Sequence, residues 1–165
     1  MRFLLSFFPL IAVLNGQVFI DSDSDSLDDS WELTYFLTLE TTTGSANPDA
    51  DGLDNLAEQT VGTNPTKADT DDDGLQDHLE TGNGTFTSAT DTGTDPLNPD
   101  SDADGRLDGA EVTGAMGAIT NPNDEDSDND SFNDRVELVK KTNPNSAAEK
   151  PDGLLPLEIN EISVS

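Results

Sequence analysis

The chain has 165 residues, with 7 Lys or Arg against 35 Asp or Glu, a net charge of −28, and 32% apolar residues, many of them in the first twenty positions. Such a chain cannot bury enough apolar surface to offset the entropy of folding, so it either stays disordered or is organised by something other than a core. The charge repels nucleic acid and anionic membranes, and the absence of Cys excludes disulfides, thiolate metal sites and a lipidated Cys anchor.

At the N-terminus, Met1 and Arg2 precede an apolar run from Phe3 to Leu14, interrupted by Ser6 and Pro9 and followed by Asn15, Gly16 and Gln17. One positive charge, a short apolar run and a small residue read as a signal peptide over 1–16, ending at Gly16. A retained signal anchor is the rival, but Asn15-Gly16-Gln17 breaks the run short of the roughly 20 apolar residues a span needs. The mature chain is then expected outside the cytoplasm, secreted or at the cell surface.

A twelve-residue acidic frame recurs five times after the leader. The first loop offers Asp21, Asp23, Asp25, Asp29 and Glu32 at positions 1, 3, 5, 9 and 12. The second offers Asn47, Asp49, Asp51, Asn55 and Glu58, and the third Asp69, Asp71, Asp73, Asp77 and Glu80. The fourth offers Asp100, Asp102, Asp104, Asp108 and Glu111, and the fifth Asp126, Asp128, Asp130, Asp134 and Glu137. Calcium takes six to eight oxygens, and a loop of this length supplies them from positions 1, 3, 5, 7, 9 and 12, the last by a bidentate Glu. Position 6 needs a sharp turn, which Gly makes without a Cβ penalty. Position 7 gives a backbone carbonyl, leaving its side chain free to be apolar, as in Leu27, Leu53, Leu75 and Phe132; Arg106 is the exception. Of the 25 side-chain positions 23 are acidic and two are Asn, and all five loops close with Glu. An acidic solvated surface would scatter its charges without phase, so the fixed phase points to calcium.

The connections repeat as well. Thr63-Asn64-Pro65, Thr94-Asp95-Pro96, Thr120-Asn121-Pro122 and Thr142-Asn143-Pro144 share a T-[N/D]-P pattern, and in the first three the next loop begins four residues after Pro. Thr81 to Gly93, rich in Thr, Gly and Ser, reads as an exposed insertion loop. The same register after Pro144 sets Ala148 at position 1, Lys150 at 3, Asp152 at 5, Gly153 at 6 and Leu154 at 7. That is either a decayed sixth repeat that binds no metal or an ordinary Asp-Gly turn.

The expected fold is irregular: a calcium-organised repeat array with short α-helices after each loop and little β. Residues 17–46 hold the first loop and an amphipathic helix, 47–147 hold four loops with the insertion at 81–93, and 148–165 hold the degenerate repeat and a strand-like tail. The helix after Asp29 is expected to be the longest, with Trp31, Tyr35 and Phe36 as apolar contacts. The alternation from Leu157 to Val164 suits a strand, which would need a partner.

The loops resemble the bacterial calcium-binding form of the thrombospondin type 3 repeat. The pattern D-x-D-x-D-G-[L]-x-D-x-x-E with G-T-N-P linkers is carried by Asp69 to Glu80 and by Val61-Gly62-Thr63-Asn64-Pro65; Leu27 to Leu33 resembles an opening repeat. The resemblance spans about residues 21–153 and implies an extracellular EF-hand-like array, a structural, spacer or adhesion module meeting a cell-surface or matrix protein or a polysaccharide. Ser26 and Ser131 replace Gly at position 6, and the two Asn lower the charge of loop 2, so loops 3 and 4 are expected to bind tightest. Arg106 lies near the ion of loop 4 unless it points outward. With one His (His78, expected to face outward), no Cys and no nucleophile with a base, the chain is not expected to be an enzyme. The rivals are a dockerin-like binding module, which usually has two loops closed by Asp, and an acidic mineral-binding protein.

Overall fold

The computed structural model describes residues 10–14, 17–40, 42–115 and 117–152. They are mostly irregular, with four short helices and little β. The chain divides into two units, Met1–Thr70 and Asp71–Ser165. Loop 3 therefore starts in the first unit and finishes in the second.

In the first unit, β1 (Leu10–Leu14) and β2 (Gln17–Asp21) form an antiparallel hairpin, with Leu10 opposite Asp21. The sequence does not announce it, since Leu10–Leu14 reads there as leader; the rest of the leader, 1–9 with Asn15 and Gly16, lies outside the described residues. Strand β2 delivers the chain directly into Asp21, position 1 of loop 1.

Helices α1 (Asp29–Tyr35), α2 (Asn55–Val61), α3 (Asp108–Thr113) and α4 (Asp134–Lys140) each begin at position 9 of a loop. Position 8 is the N-cap, and its side chain accepts a backbone N–H in three of them: Asp28 from Ser30, Asp54 from Ala57 and Asn133 from Val136. Such caps satisfy the orphan amides of a first turn. Loop 3 departs from the expected helix. Its Gln76 makes no capping bond, and only a 3₁₀ turn forms at Asp77–Leu79 before the chain enters the insertion. Helix α1 is also no longer than α2 or α4, because Leu37 turns left-handed (φ 63°) just past its C-cap, Phe36. Trp31 does pack edge-on against Tyr35 and Phe36, at 5.2 and 5.8 Å between ring centres.

The insertion is exposed but tied down. Gly82 and Gly84 donate to the carbonyls of Thr94 and Gly93, and Thr92 donates to that of Leu79. A side chain at Gly93 (φ 72°) would strike the Thr85 backbone. The strand expected over Leu157–Val164, like Gly153 and Leu154, lies outside the described residues.

Among the described residues the buried apolar side chains are Leu27, Leu75, Val112 and Phe132 with Pro65, Pro96, Pro122, Pro144 and Pro151, whereas nineteen polar or charged residues are buried, thirteen of them carboxylates. Burying a charge is costly unless it is paired or binds a metal. The interior of each unit is thus built from groups that need a partner.

Candidate metal centres

Each loop coils by the same two backbone reversals. Position 6 has positive φ in all five: Ser26 at 82°, Gly52 at 116°, Gly74 at 102°, Gly105 at 91° and Ser131 at 81°. Position 4 does too, through Ser24, Ala50, Asp72, Ala103 and Asn129, at 61° to 70°. The second reversal is not legible in the sequence, because none of its five residues is Gly.

Hydrogen bonds then fix the acidic side chains. Oδ1 of position 3 accepts the amide of position 5 (Asp49 from Asp51, Asp71 from Asp73, Asp102 from Asp104, Asp128 from Asp130), at 3.0 to 3.3 Å. Oδ1 of position 5 accepts the amide of position 7 in all five loops, at 2.6 to 2.9 Å. Position 1 takes amides from across the coil: Asp21 from Ser24, Asp25 and Ser26, Asn47 from Ala50, Asp100 from Gly105, and Asp126 from Asp130 and Ser131. One oxygen of each position-3 carboxylate so placed is turned away from these bonds. Oδ2 of Asp49, Asp102 and Asp128 is buried without a protein donor, as are Oδ2 of Asp25 and Oδ1 of Asp100.

Asp21, Asp23 and Asp25 bring one oxygen each to within 4.8 Å of one another, and so do Asp100, Asp102 and Asp104, and Asp126, Asp128 and Asp130. Asp71 and Asp73 do the same in the second unit; Asp69, half-buried, is the last acid of the first. Loop 2 has Asn47 at position 1 and Asp49 and Asp51 at positions 3 and 5.

The closing Glu is buried in every loop: Glu32, Glu58, Glu111 and Glu137 are fully enclosed and Glu80 is 4% exposed. Burial, with Asp25, Asp23, Asp29 and Asp21 around it, pushes the Glu32 carboxyl up to about 7. Burial and the Asp73, Asp71 and Asp108 carboxylates push Glu80 up to about 8, against a lowering bond from Thr94. Burial with Asp102 and Asp104 lifts Glu111 to about 8, and burial with Asp128, Asp130 and Asp134 lifts Glu137 to about 7. Burial likewise takes Asp102 to about 7. These carboxylates crowd one another in a space that rewards a cation.

The linker Thr belongs to this site, a role the T-[N/D]-P pattern alone does not disclose. In three of the four linkers its hydroxyl donates to Oε1 of the preceding loop's Glu: Thr94 to Glu80 at 2.9 Å, Thr120 to Glu111 at 2.7 Å and Thr142 to Glu137 at 3.2 Å; the Thr63 hydroxyl is buried without such a bond. The other oxygen, Oε2 of Glu80, Glu111 and Glu137, is buried without a protein donor, as are both oxygens of Glu32. The Asn or Asp that follows makes an Asx turn: Asn64, Asp95, Asn121 and Asn143 each accept the amide two residues on.

Position 9 is tied to position 2 of its own loop in three of the five loops. In loops 1, 4 and 5 its carboxylate takes both the amide and the hydroxyl of the Ser at position 2: Asp29 from Ser22, Asp108 from Ser101, Asp134 from Ser127. Loop 2 has Pro48 at position 2, which offers neither donor, and there Asn55 instead gives its amide to the Thr42 hydroxyl and the Thr43 carbonyl. Asp77 of loop 3 is buried. Position 9 also reaches back to the preceding loop: Asp108 has an oxygen within 4.8 Å of Asp73 and Glu80. One residue further on, the amides of Gly109 and Arg135 donate to Oδ2 of Asp73 and Asp104, at 3.0 and 3.1 Å.

Among the described residues, Arg106 and Lys150 each lie beside a loop carboxylate. Arg106, at position 7 of loop 4, does not point outward: it is 4% exposed, with Nη1 bonded to Thr120 Oγ1 and 3.7 Å from Glu111 Oε1. Lys150 donates to the Asp130 carbonyl at 2.8 Å and lies 3.7 Å from Asp130 Oδ2. His78 is exposed. The donor set is all oxygen, carboxylate-rich and spread around a coiled loop, which fits a hard cation of flexible coordination. Among known proteins, no family model, no curated protein and no solved structure matches this chain.

Proposed function

We propose that the chain is a secreted calcium-binding protein whose five acidic loops form a repeat array that calcium organises, and that it acts as a structural, spacer or adhesion module rather than as an enzyme. The observation that carries this reading is the fate of the closing Glu. Glu32, Glu80, Glu111 and Glu137 are buried beside other carboxylates, each with an oxygen that no protein donor meets. Two like charges 4 Å apart repel by about 4 kcal/mol at an effective dielectric near 20, so a divalent ion changes the balance from repulsion to attraction. Binding energy then becomes folding energy.

Positions 1, 3, 5 and 12 supply the side-chain oxygens and position 7 its carbonyl. Asp108, beside Asp73 and Glu80, extends the carboxylate set from one loop to the next. Sites of extracellular modules are usually weak, with dissociation constants of about 10⁻⁴–10⁻³ M, which suits a chain exported past a leader. A cell-surface or matrix protein or a polysaccharide is the class of partner such a spacer would meet.

The test is calcium titration of the chelated mature chain, followed by circular dichroism and by bound metal. About five ions or more, one for each loop, should bind with compaction. A chelated chain that keeps its shape and its melting profile overturns the reading, and diffuse binding without structural change favours the mineral-binding alternative.

A further inference from the structure

Position 7 is where the loops bury their few apolar side chains, Leu27, Leu75 and Phe132. Loop 4 has Arg106 in that place, in a chain with only 7 Lys and Arg. Its side chain is 2% exposed and that of Glu111 is fully enclosed. The guanidinium is held by a built set of acceptors. Nη1 bonds Thr120 Oγ1, whose own hydroxyl proton goes to Glu111 Oε1 at 2.7 Å. Nη2 faces three carbonyls: Ala118 at 3.1 Å and Ala110 and Ala115 at 3.4 Å. Arg106 thereby gathers α3, the turn after it and the linker Thr around one charge.

We infer that Arg106 is the resident cation of loop 4: it organises residues 106–120 without a metal ion, and it makes this loop a weaker calcium site than its neighbours. The inference rests on the calcium reading and refines it. A guanidinium is always protonated and presents a rigid fork of donors. It can therefore hold the closing Glu in place when calcium is absent, a service that Leu27, Leu75 and Phe132 cannot give in their loops. The same positive charge opposes a divalent ion arriving at Oε2 of that Glu. Loop 4 then stands as a preformed segment within its unit, ordered at calcium levels that leave other loops open, and the expectation that it is among the tightest sites is reversed.

Hydrogen–deuterium exchange of the full mature chain, in chelator and across a calcium titration, tests this. In chelator, peptides over 106–120 should exchange more slowly than those over 21–32, 47–58 and 126–137. R106L restores the residue found in loops 1 to 3. It should abolish that protection and move the calcium midpoint of loop 4 about tenfold lower, equivalent to about 1.4 kcal/mol. Should R106L fail to order even in calcium, R106K decides: it keeps the charge but loses the fork, and its 106–120 protection in chelator should fall below that of the wild type. Equal exchange of 106–120 and the other loops in chelator overturns the inference, as does unchanged protection in R106L or R106K. If calcium alters exchange in no loop, the calcium reading itself fails. If it protects the others and 106–120 simply follows them, only the role of Arg106 does.

Discussion

Ser127 gives both its amide and its hydroxyl to one carboxylate, that of Asp134, at 3.0 and 2.7 Å. The Ser127 oxygen in turn accepts the Asn121 amide at 2.9 Å. One serine therefore joins the linker, the start of loop 5 and the start of helix α4. Loop 4 repeats the relay, from the Asp95 amide through Ser101 to Asp108.

Ser127→Ala removes two of these three bonds and leaves the Asp134 carboxylate, fully buried, with only the amide. Hydrogen bonds to charged groups contribute about 1.5–3 kcal/mol. Calcium-loaded protein should accordingly lose about 2 kcal/mol in the unit that contains loop 5. Thermal melting in excess calcium measures it, and a variant that melts with the wild type would show the relay to be dispensable.

The part of this design that the sequence made legible is the part that follows from ligand chemistry. Alternate acids at positions 1, 3 and 5 and a Glu at 12 are what a calcium loop would need, so Asp100 or Glu111 can be picked out without coordinates. A helix after position 9 is expected in every loop; three of the four that form start behind a capping side chain, Asp28, Asp54 or Asn133, whereas α3 starts behind Leu107, which has none to offer. The supporting bonds were not legible. A Ser at position 2 or a Thr before Asn-Pro looks like ordinary loop composition until the fold sets it against a buried carboxylate. The left-handed residue at position 4 had no signal at all, since Ala50 and Ala103 occupy it as readily as Asn129. Register places position 9 in its own loop, but register alone does not disclose that Asp108 also approaches Asp73 and Glu80 of the loop before.

Thr94 and Thr142 offer a test of the linker. Each hydroxyl holds one oxygen of a closing Glu while the other is buried without a protein donor, the oxygen that the calcium reading gives to the ion. Thr94→Val keeps the shape and removes the donor. A lost bond to a charged acceptor of about 1.5 kcal/mol corresponds to roughly a tenfold weaker site. Residue-resolved calcium titration should show that loss at loop 3 alone, since quasi-one-dimensional arrays transmit perturbations only to near neighbours. Equal weakening of every loop would contradict the local role.

Protons should leave when calcium enters. In the metal-free fold the Glu80 and Glu111 carboxyls are pushed up to about 8, and Glu32 and Glu137 to about 7, by burial first and by neighbouring carboxylates second. The ordinary value is 4.5, so the folded apo chain binds protons more tightly than the unfolded one. Its stability is therefore fully present below about pH 4.5 and falls as the pH rises to about 8. Calcium requires the ionised form, and its affinity runs the other way, rising across the same window. A pH-stat titration in unbuffered solution should record proton release at pH 6.5, vanishing by about pH 9, from Glu111 of loop 4, the loop that Arg106 keeps ordered without calcium; loops that are open in chelator start from ordinary carboxyls and release none. Equal affinity at pH 5.5 and 8.5 would contradict this.

Ser26 and Ser131 hold φ of 82° and 81° where three other loops have Gly. A side chain in the left-handed region costs about 1–2 kcal/mol per residue, but Gly also raises the entropy of the unfolded chain by about 0.5–1 kcal/mol. The difference favours Gly by about 0.5–1 kcal/mol. Ser131→Gly should thus tighten loop 5 by roughly two- to fivefold without touching a ligand. The control is Asn129→Gly, because Asn tolerates the left-handed region better than Ser; its gain should be smaller. If Ser131→Gly weakens loop 5, then the serine contributes something beyond the backbone turn, and the strain argument fails for position 6.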